Sequence, residues 1–141
     1  MSEVVQVACP ACLAANRIPA ARLGEDPKCG KCGAPLLDGA PAELREEQFE
    51  QFLARTELPV LADFWAPWCG PCRAMAPQFE RAARELKDRV RLVKVNTEEA
   101  QGLAARYAIR AIPTLVLFRN GAEVKRASGT MDAGALARWA A

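Results

Sequence analysis

The stretch Trp65-Ala66-Pro67-Trp68-Cys69-Gly70-Pro71-Cys72 constrains this chain most, because a buried strand, two thiols and a helix start must meet within eight residues. The run before it, Leu58-Pro59-Val60-Leu61-Ala62-Asp63-Phe64-Trp65, is nearly continuous in apolar residues. It is short enough for a strand covered on both faces, as in the middle of an α/β sheet. Asp63 interrupts it. After the stretch, Met75, Phe79, Ala82, Ala83 and Leu86 recur at helical spacing up to about Asp88, and Pro71 suits a first helical turn where no intrahelical N–H bond is lost. Cys69 then sits at a helix N-terminus, where unpaired N–H groups and the macrodipole favour a thiolate.

Trp-Cys-Gly-Pro-Cys in this setting resembles thioredoxin. The resemblance extends over residues 42–141, with Asp63 six residues before the first cysteine, Lys94 on the next strand-like run, then Ile112-Pro113-Thr114, and Gly129 after a hairpin. A bare Cys-x-x-Cys also serves metal knuckles, but one between a strand and a helix favours redox use. The competing reading, a zinc-bound or inert buried pair, is opposed by Pro71 in the spacer and by the lack of a second Cys-x-x-Cys in this half.

A second signal fills the first forty residues. Cys9-Pro10-Ala11-Cys12 and Cys29-Gly30-Lys31-Cys32 leave sixteen residues between the inner cysteines, the spacing of a four-cysteine zinc site. Gly30 and Gly33 fit the tight turn of the second knuckle, whereas Leu13 stands where Gly33 has its counterpart in the first. The segment is too short and too poor in apolar residues to fold on a core alone, having little beyond Val4, Val5, Val7, Leu13, Ile18, Leu23, Leu36 and Leu37. Metal binding supplies the missing folding free energy. Met1 to Ala8 shows no basic n-region and no sustained apolar core, so a cytoplasmic location is expected, where thiols stay reduced and disulfides are disfavoured. A four-cysteine ribbon fused to this domain is the arrangement of the thioredoxin 2 type, which the chain resembles as a whole.

Asp38-Gly39-Ala40-Pro41 punctuates the two modules, giving a zinc ribbon over 1–40 and a thioredoxin domain over 41–141. By resemblance Ala42 to Arg45 is an edge strand. Glu46 to Arg55 reads as a helix with Phe49, Phe52 and Leu53 on one face, Val90 to Val95 as a strand, and Glu98 to Tyr107 as a helix with acidic residues in its first turn. Thr114 to Phe118 and Glu123 to Ser128 form a hairpin about Asn120-Gly121, and Asp132 caps a last helix carrying Leu136 and Trp139. The order β-α-β-α-β-α-β-β-α is an α/β thioredoxin fold, a mixed sheet flanked by helices.

Cys69 is expected to be the more exposed thiol and the nucleophile, with Cys72 resolving the mixed disulfide. The chain has no histidine, so Asp63 is the best base for Cys72, its pKa raised by burial and tempered by Lys94; the plainer alternative is a paired core carboxylate. Gly70-Pro71 places no positive charge between the thiols, which favours a reducing couple and hence a protein-disulfide reductase. By resemblance Pro113 is cis and faces the dithiol, and Trp68, Ile112 and Gly129 form the apolar rim of a groove for an extended substrate segment.

The resemblance implies oxidised protein disulfides and an NADPH-dependent thioredoxin reductase as partners; this chain itself has no glycine-rich motif to bind a nucleotide, and no flavin is expected on it. A net charge of +2 and a charge-balanced ribbon argue against nucleic acid, no run approaches a membrane span, and a monomer is expected. Two other readings remain open. An isomerase or oxidase would use the same thiols, and oxidation of the four-cysteine site could release zinc, making the chain a redox sensor or binding module.

Overall fold

The computed structural model describes residues 3–141. Strands β1 (Val4–Ala8) and β2 (Ala15–Pro19) form an antiparallel hairpin, followed by a 3-10 turn at Ala20–Arg22. Then come β3 (Ala42–Glu43), α1 (Glu46–Ala54), β4 (Val60–Trp65), α2 (Gly70–Glu85), β5 (Arg91–Asn96), α3 (Gln101–Arg106), β6 (Thr114–Arg119), β7 (Ala122–Ser128) and α4 (Ala133–Ala140). The five strands β3 to β7 lie in the order β3-β5-β4-β6-β7, parallel across β3, β5 and β4 and antiparallel from β4 to β6 to β7.

The central strand is covered on both faces, as its apolar run requires. Val60, Ala62 and Phe64 point into one core with Phe49 and Phe52 of α1 and Leu103 of α3. Leu61 points into the other with Met75 and Phe79 of α2 and Leu136 of α4. Side chains alternate along a strand, so Asp63 and Trp65 share the α2 face with Leu61. The helical stripe read from Met75 to Leu86 is buried throughout.

Local signals set the element ends. Asn120 and Gly121 both have positive φ, 52° and 79°, as the tight β6–β7 hairpin requires. The Asp132 carboxylate accepts the Ala135 N–H at 2.8 Å and caps α4, and Gln78 of α2 accepts the Ala133 N–H at 2.9 Å, tying the two helices together.

Three sequence expectations need correction. The edge strand stops at Glu43 rather than Arg45, because beyond it Leu44 alone continues pairing, through its N–H to the Lys94 carbonyl. Glu98 and Glu99 lie in a turn before α3, not within its first turn. The N-terminus of α3 is capped from elsewhere: Glu46, at the start of α1, accepts the Gly102 N–H at 2.8 Å and the Leu103 N–H at 3.3 Å. Finally, Gly30 has no positive φ, and its N–H donates to Asn16 Oδ1 at 2.9 Å; the left-handed knuckle positions are Gly33 at 79° and Leu13 at 67°.

The N-terminal module rests on the loop between α1 and β4. The Gln6 N–H donates to Glu57 Oε1 at 2.7 Å, the Glu57 N–H returns to the Gln6 carbonyl at 2.8 Å, and Ala8 N–H donates to Thr56 Oγ1 at 3.2 Å. Arg55 reaches the Leu13 carbonyl at 2.8 Å. Ala8 is buried in the α1 core with Leu13 packed against it, while Leu58 packs into the ribbon core of Val7, Leu23, Leu36 and Leu37. Arg91, buried at the start of β5, stacks over Phe52 with its guanidinium carbon 5.9 Å from the ring centroid. Among the described residues no helix is long and apolar enough to cross a membrane.

Candidate active site and metal centre

Strand β4 ends at Trp65, and the chain turns through Ala66-Pro67-Trp68 to place Cys69 at the N-cap of α2. Pro71 occupies the first turn, where its missing N–H costs nothing. Cys69 Sγ accepts the Cys72 N–H at 3.2 Å, and the two sulfurs are joined in a disulfide with a Cα–Cα separation of 5.2 Å. The expected contrast in exposure is small: Cys69 is 5% exposed and Cys72 3%, because Ala66, Trp65 and Ile112 pack around both.

Ile112–Pro113 is cis, and the Ile112 carbonyl oxygen lies 3.8 Å from Cys69 Sγ. Trp68 is 64% exposed and joins Ile112, Ala111, Arg110 and Glu98 around a groove of 340 Å³. Gly129, with φ of 101°, donates its N–H to the Pro113 carbonyl at 2.9 Å, which ties it to the cis-proline segment. Arg110 and Glu98 were not singled out from sequence. They carry no motif of their own, and only the approach of the segment before Ile112 to the turn after β5 brings them together.

Asp63 is 1% exposed, and neither carboxyl oxygen has a hydrogen-bond partner. Burial pushes its pKa up to about 7, against a smaller downward pull from Lys94. The two residues are register partners on β4 and β5, yet Lys94 Nζ lies over the Trp65 ring, 4.4 Å from its centroid.

In the ribbon two similar turns face each other. Cys9 N–H donates to the Ala14 carbonyl and Leu13 N–H to the Cys9 carbonyl; Cys29 N–H and Gly33 N–H repeat this with Ala34 and Cys29. Ala11 and Cys12 N–H groups point at Cys9 Sγ, and Lys31 N–H and the Asn16 amide at Cys29 Sγ, at 3.4 to 3.5 Å. Donation by the Cys32 backbone and Asn16 brings the Cys29 thiol down to about 6, while burial pushes Cys9 up to about 11. The four sulfurs lie within 4.8 Å of one another, with Cys9–Cys32 at 3.6 Å and Cys12–Cys29 at 3.7 Å. A tetrahedron of Zn–S bonds near 2.3 Å has edges of about 3.8 Å, so the shape of this cluster fits that ion.

A dithiol at a helix N-terminus, on a mixed sheet flanked by helices, defines a thiol–disulfide oxidoreductase. The family model for thioredoxin matches residues 40–141, and the model described as thioredoxin 2, N-terminal, matches residues 8–34. The chain is 42% identical to thioredoxin C-3 of Corynebacterium nephridii over 133 residues, 94% of this chain and 91% of that protein. It is 44% identical to thioredoxin 1 of Synechococcus elongatus over 96 residues, 68% of this chain and 90% of the other. A solved structure, a mutant thioredoxin from Halobacterium salinarum, superposes with a TM-score of 0.65 at 34% identity, covering 72% of this chain and 88% of that one. The chain belongs to the thioredoxin family, of the thioredoxin 2 type with an N-terminal zinc ribbon, and it is a protein-disulfide reductase.

Proposed function

We propose that Cys69 is the attacking thiolate and Cys72 the resolving thiol. The observation that carries this is the Cys72 N–H donated to Cys69 Sγ at the N-cap of α2, which stabilises negative charge on Cys69 and not on Cys72. Cys69 attacks one sulfur of an oxidised protein, forming a mixed disulfide and releasing the first substrate thiolate, which takes up a proton. Cys72 then passes its proton to Asp63 and attacks Cys69 Sγ, expelling the second substrate sulfur as a thiolate that takes up a proton, while Asp63 returns its own to solvent and the Cys69–Cys72 disulfide is left. Two electrons have moved to the substrate. Lys94 tunes Asp63 by its charge, and Gly70-Pro71 keeps the spacer uncharged. Trp68, Ile112, Pro113 and Gly129 line the approach, where a substrate segment lies extended against the Ile112 backbone.

The dithiol is restored by an NADPH-dependent thioredoxin reductase, in the cytoplasm, and the chain acts as a monomer with modules 1–40 and 41–141. One zinc ion per chain is held by Cys9, Cys12, Cys29 and Cys32. When bound it supplies the closure energy that the ribbon's small core lacks.

The trapping experiment tests the assignment of roles. Cys72→Ser should accumulate a covalent complex with an oxidised protein substrate, seen by intact mass, and Cys69→Ser should not. Equal trapping by both variants would overturn the order of attack.

A further inference from the structure

A lysine beside a buried carboxyl ordinarily pairs with it, because an unpaired ion in an apolar interior is costly. Asp63 and Lys94 face each other in register on neighbouring parallel strands, so their side chains leave the same face of the sheet. They form no ion pair, and Asp63 has no hydrogen-bond partner. The Lys94 ammonium instead sits over the indole of Trp65, two residues along β4 from Asp63 and on its side of the sheet. Trp65 is itself held. The Thr97 N–H and hydroxyl both donate to its carbonyl, at 2.8 and 2.9 Å, and its ring packs against the cluster of Ala66, Cys69 and Cys72.

We propose that Trp65 is a positioning residue for disulfide exchange: its indole face holds the Lys94 ammonium off Asp63, leaving that carboxyl able to take the proton of Cys72. This rests on the reading of Asp63 as the proton acceptor. An ammonium at ion-pair distance lowers a neighbouring carboxyl by roughly one to three pK units, which would return Asp63 to an ordinary carboxylate that is a poor acceptor near neutrality. Lys94 is the charge that acts on Asp63; the facing residue of β6, Leu115, carries none, and α2 brings the Cys69/Cys72 pair at its N-terminus. Held over the ring, the ammonium stays close enough to steady the carboxylate once formed.

The test uses the reduced full-length chain with its metal site loaded. The Asp63 carboxyl is titrated by carbon-13 NMR, and release of the mixed disulfide is followed against pH. In Trp65→Leu, which removes the π face, Lys94 is free to pair with Asp63. The Asp63 midpoint should fall by about one unit or more, a tenfold weaker proton affinity, and the acid limb of the rate profile should move with it. Trp65→Phe, with a weaker face but an aromatic bulk that keeps the fold, should move both in the same direction by less. Trp65→Leu combined with Lys94→Met should return the midpoint to the parental value or above.

An unmoved midpoint in the Trp65 variants overturns the proposal. So does a midpoint that stays low in the double variant, since water entering the space of the indole would then be the cause. Asp63→Asn tests the underlying reading separately. Parental release rates in Asp63→Asn would overturn the acceptor role, whereas slow release there with an unmoved midpoint in the Trp65 variants would overturn only the part of Trp65.

Discussion

At the scale of single residues, Asp63 is a carboxyl taken almost wholly out of water. Its folded pKa, about 7, lies above the ordinary carboxyl value of 3.8, so the native state binds its proton more tightly than the unfolded chain does. Stability from this group is therefore greatest below the unfolded value and is lost as pH rises from about 4 to about 7, with no further loss above. Asp63→Asn removes that loss. The variant should match the parent below about pH 4 and exceed it at pH 8 by roughly 1–3 kcal/mol in urea unfolding, after allowing for an amide that finds no better partners. Disulfide reduction should be slower at neutral pH, with the deficit narrowing as pH rises and Cys72 ionises unaided. A variant less stable than the parent at pH 8 would show that the carboxylate has a partner in solution.

At the scale of elements, α3 shows how a short helix can be completed by another. Its N-cap, Ala100, has no side-chain acceptor, and the Glu46 carboxylate takes the first free N–H groups. Glu46→Ala should cost about 1 kcal/mol, as for loss of a side-chain cap, although Glu46 lies at the exposed start of a different helix. Hydrogen exchange should locate the loss in residues 101–106, and uniform loosening of α1 instead would show that Glu46 acts within its own helix. The long elements were legible in sequence because their apolar period is strong, as in Met75 to Leu86. The bounds of α3 were not, because Glu98 and Glu99 imitate a first helical turn while the true cap stands more than fifty residues upstream.

At the scale of the molecule, the ribbon and the dithiol sit toward opposite ends of β4. The ribbon contacts residues 55–58 just before Val60, and Cys69 follows Trp65 at the other end, about 20 Å along a six-residue strand. Zinc should be found at one ion per chain by elemental analysis and be lost in Cys29→Ser with Cys32→Ser. Deleting residues 1–40 should leave a folded domain with its dithiol chemistry intact, because Asp63, Lys94, Pro113 and both thiols lie downstream. It should also unfold at lower temperature, since Thr56 and Arg55 lose their ribbon partners and the core that holds Phe49 and Phe52 loses Ala8 and Leu13. An unchanged melting temperature would mean that the docking contributes nothing in solution.

The sequence by itself determined the long strands and helices of the second module, that two thiols meet a helix start, and that four more have the spacing of one cluster. All of these follow from short-range rules, the 2.0 and 3.6 periods and the spacing of like ligands. It also placed a carboxyl on the central strand. Only the tertiary structure decided what that carboxyl meets, because Lys94 and Trp65 come within reach of each other through the pairing of β4 with β5, and the choice of the ammonium between ring and carboxylate is made in space. The docking of the ribbon is of the same kind. Its contacts join residues some fifty positions apart in sequence, through backbone groups and through single side chains such as Thr56 and Arg55, whose residue types alone say nothing of a distant partner.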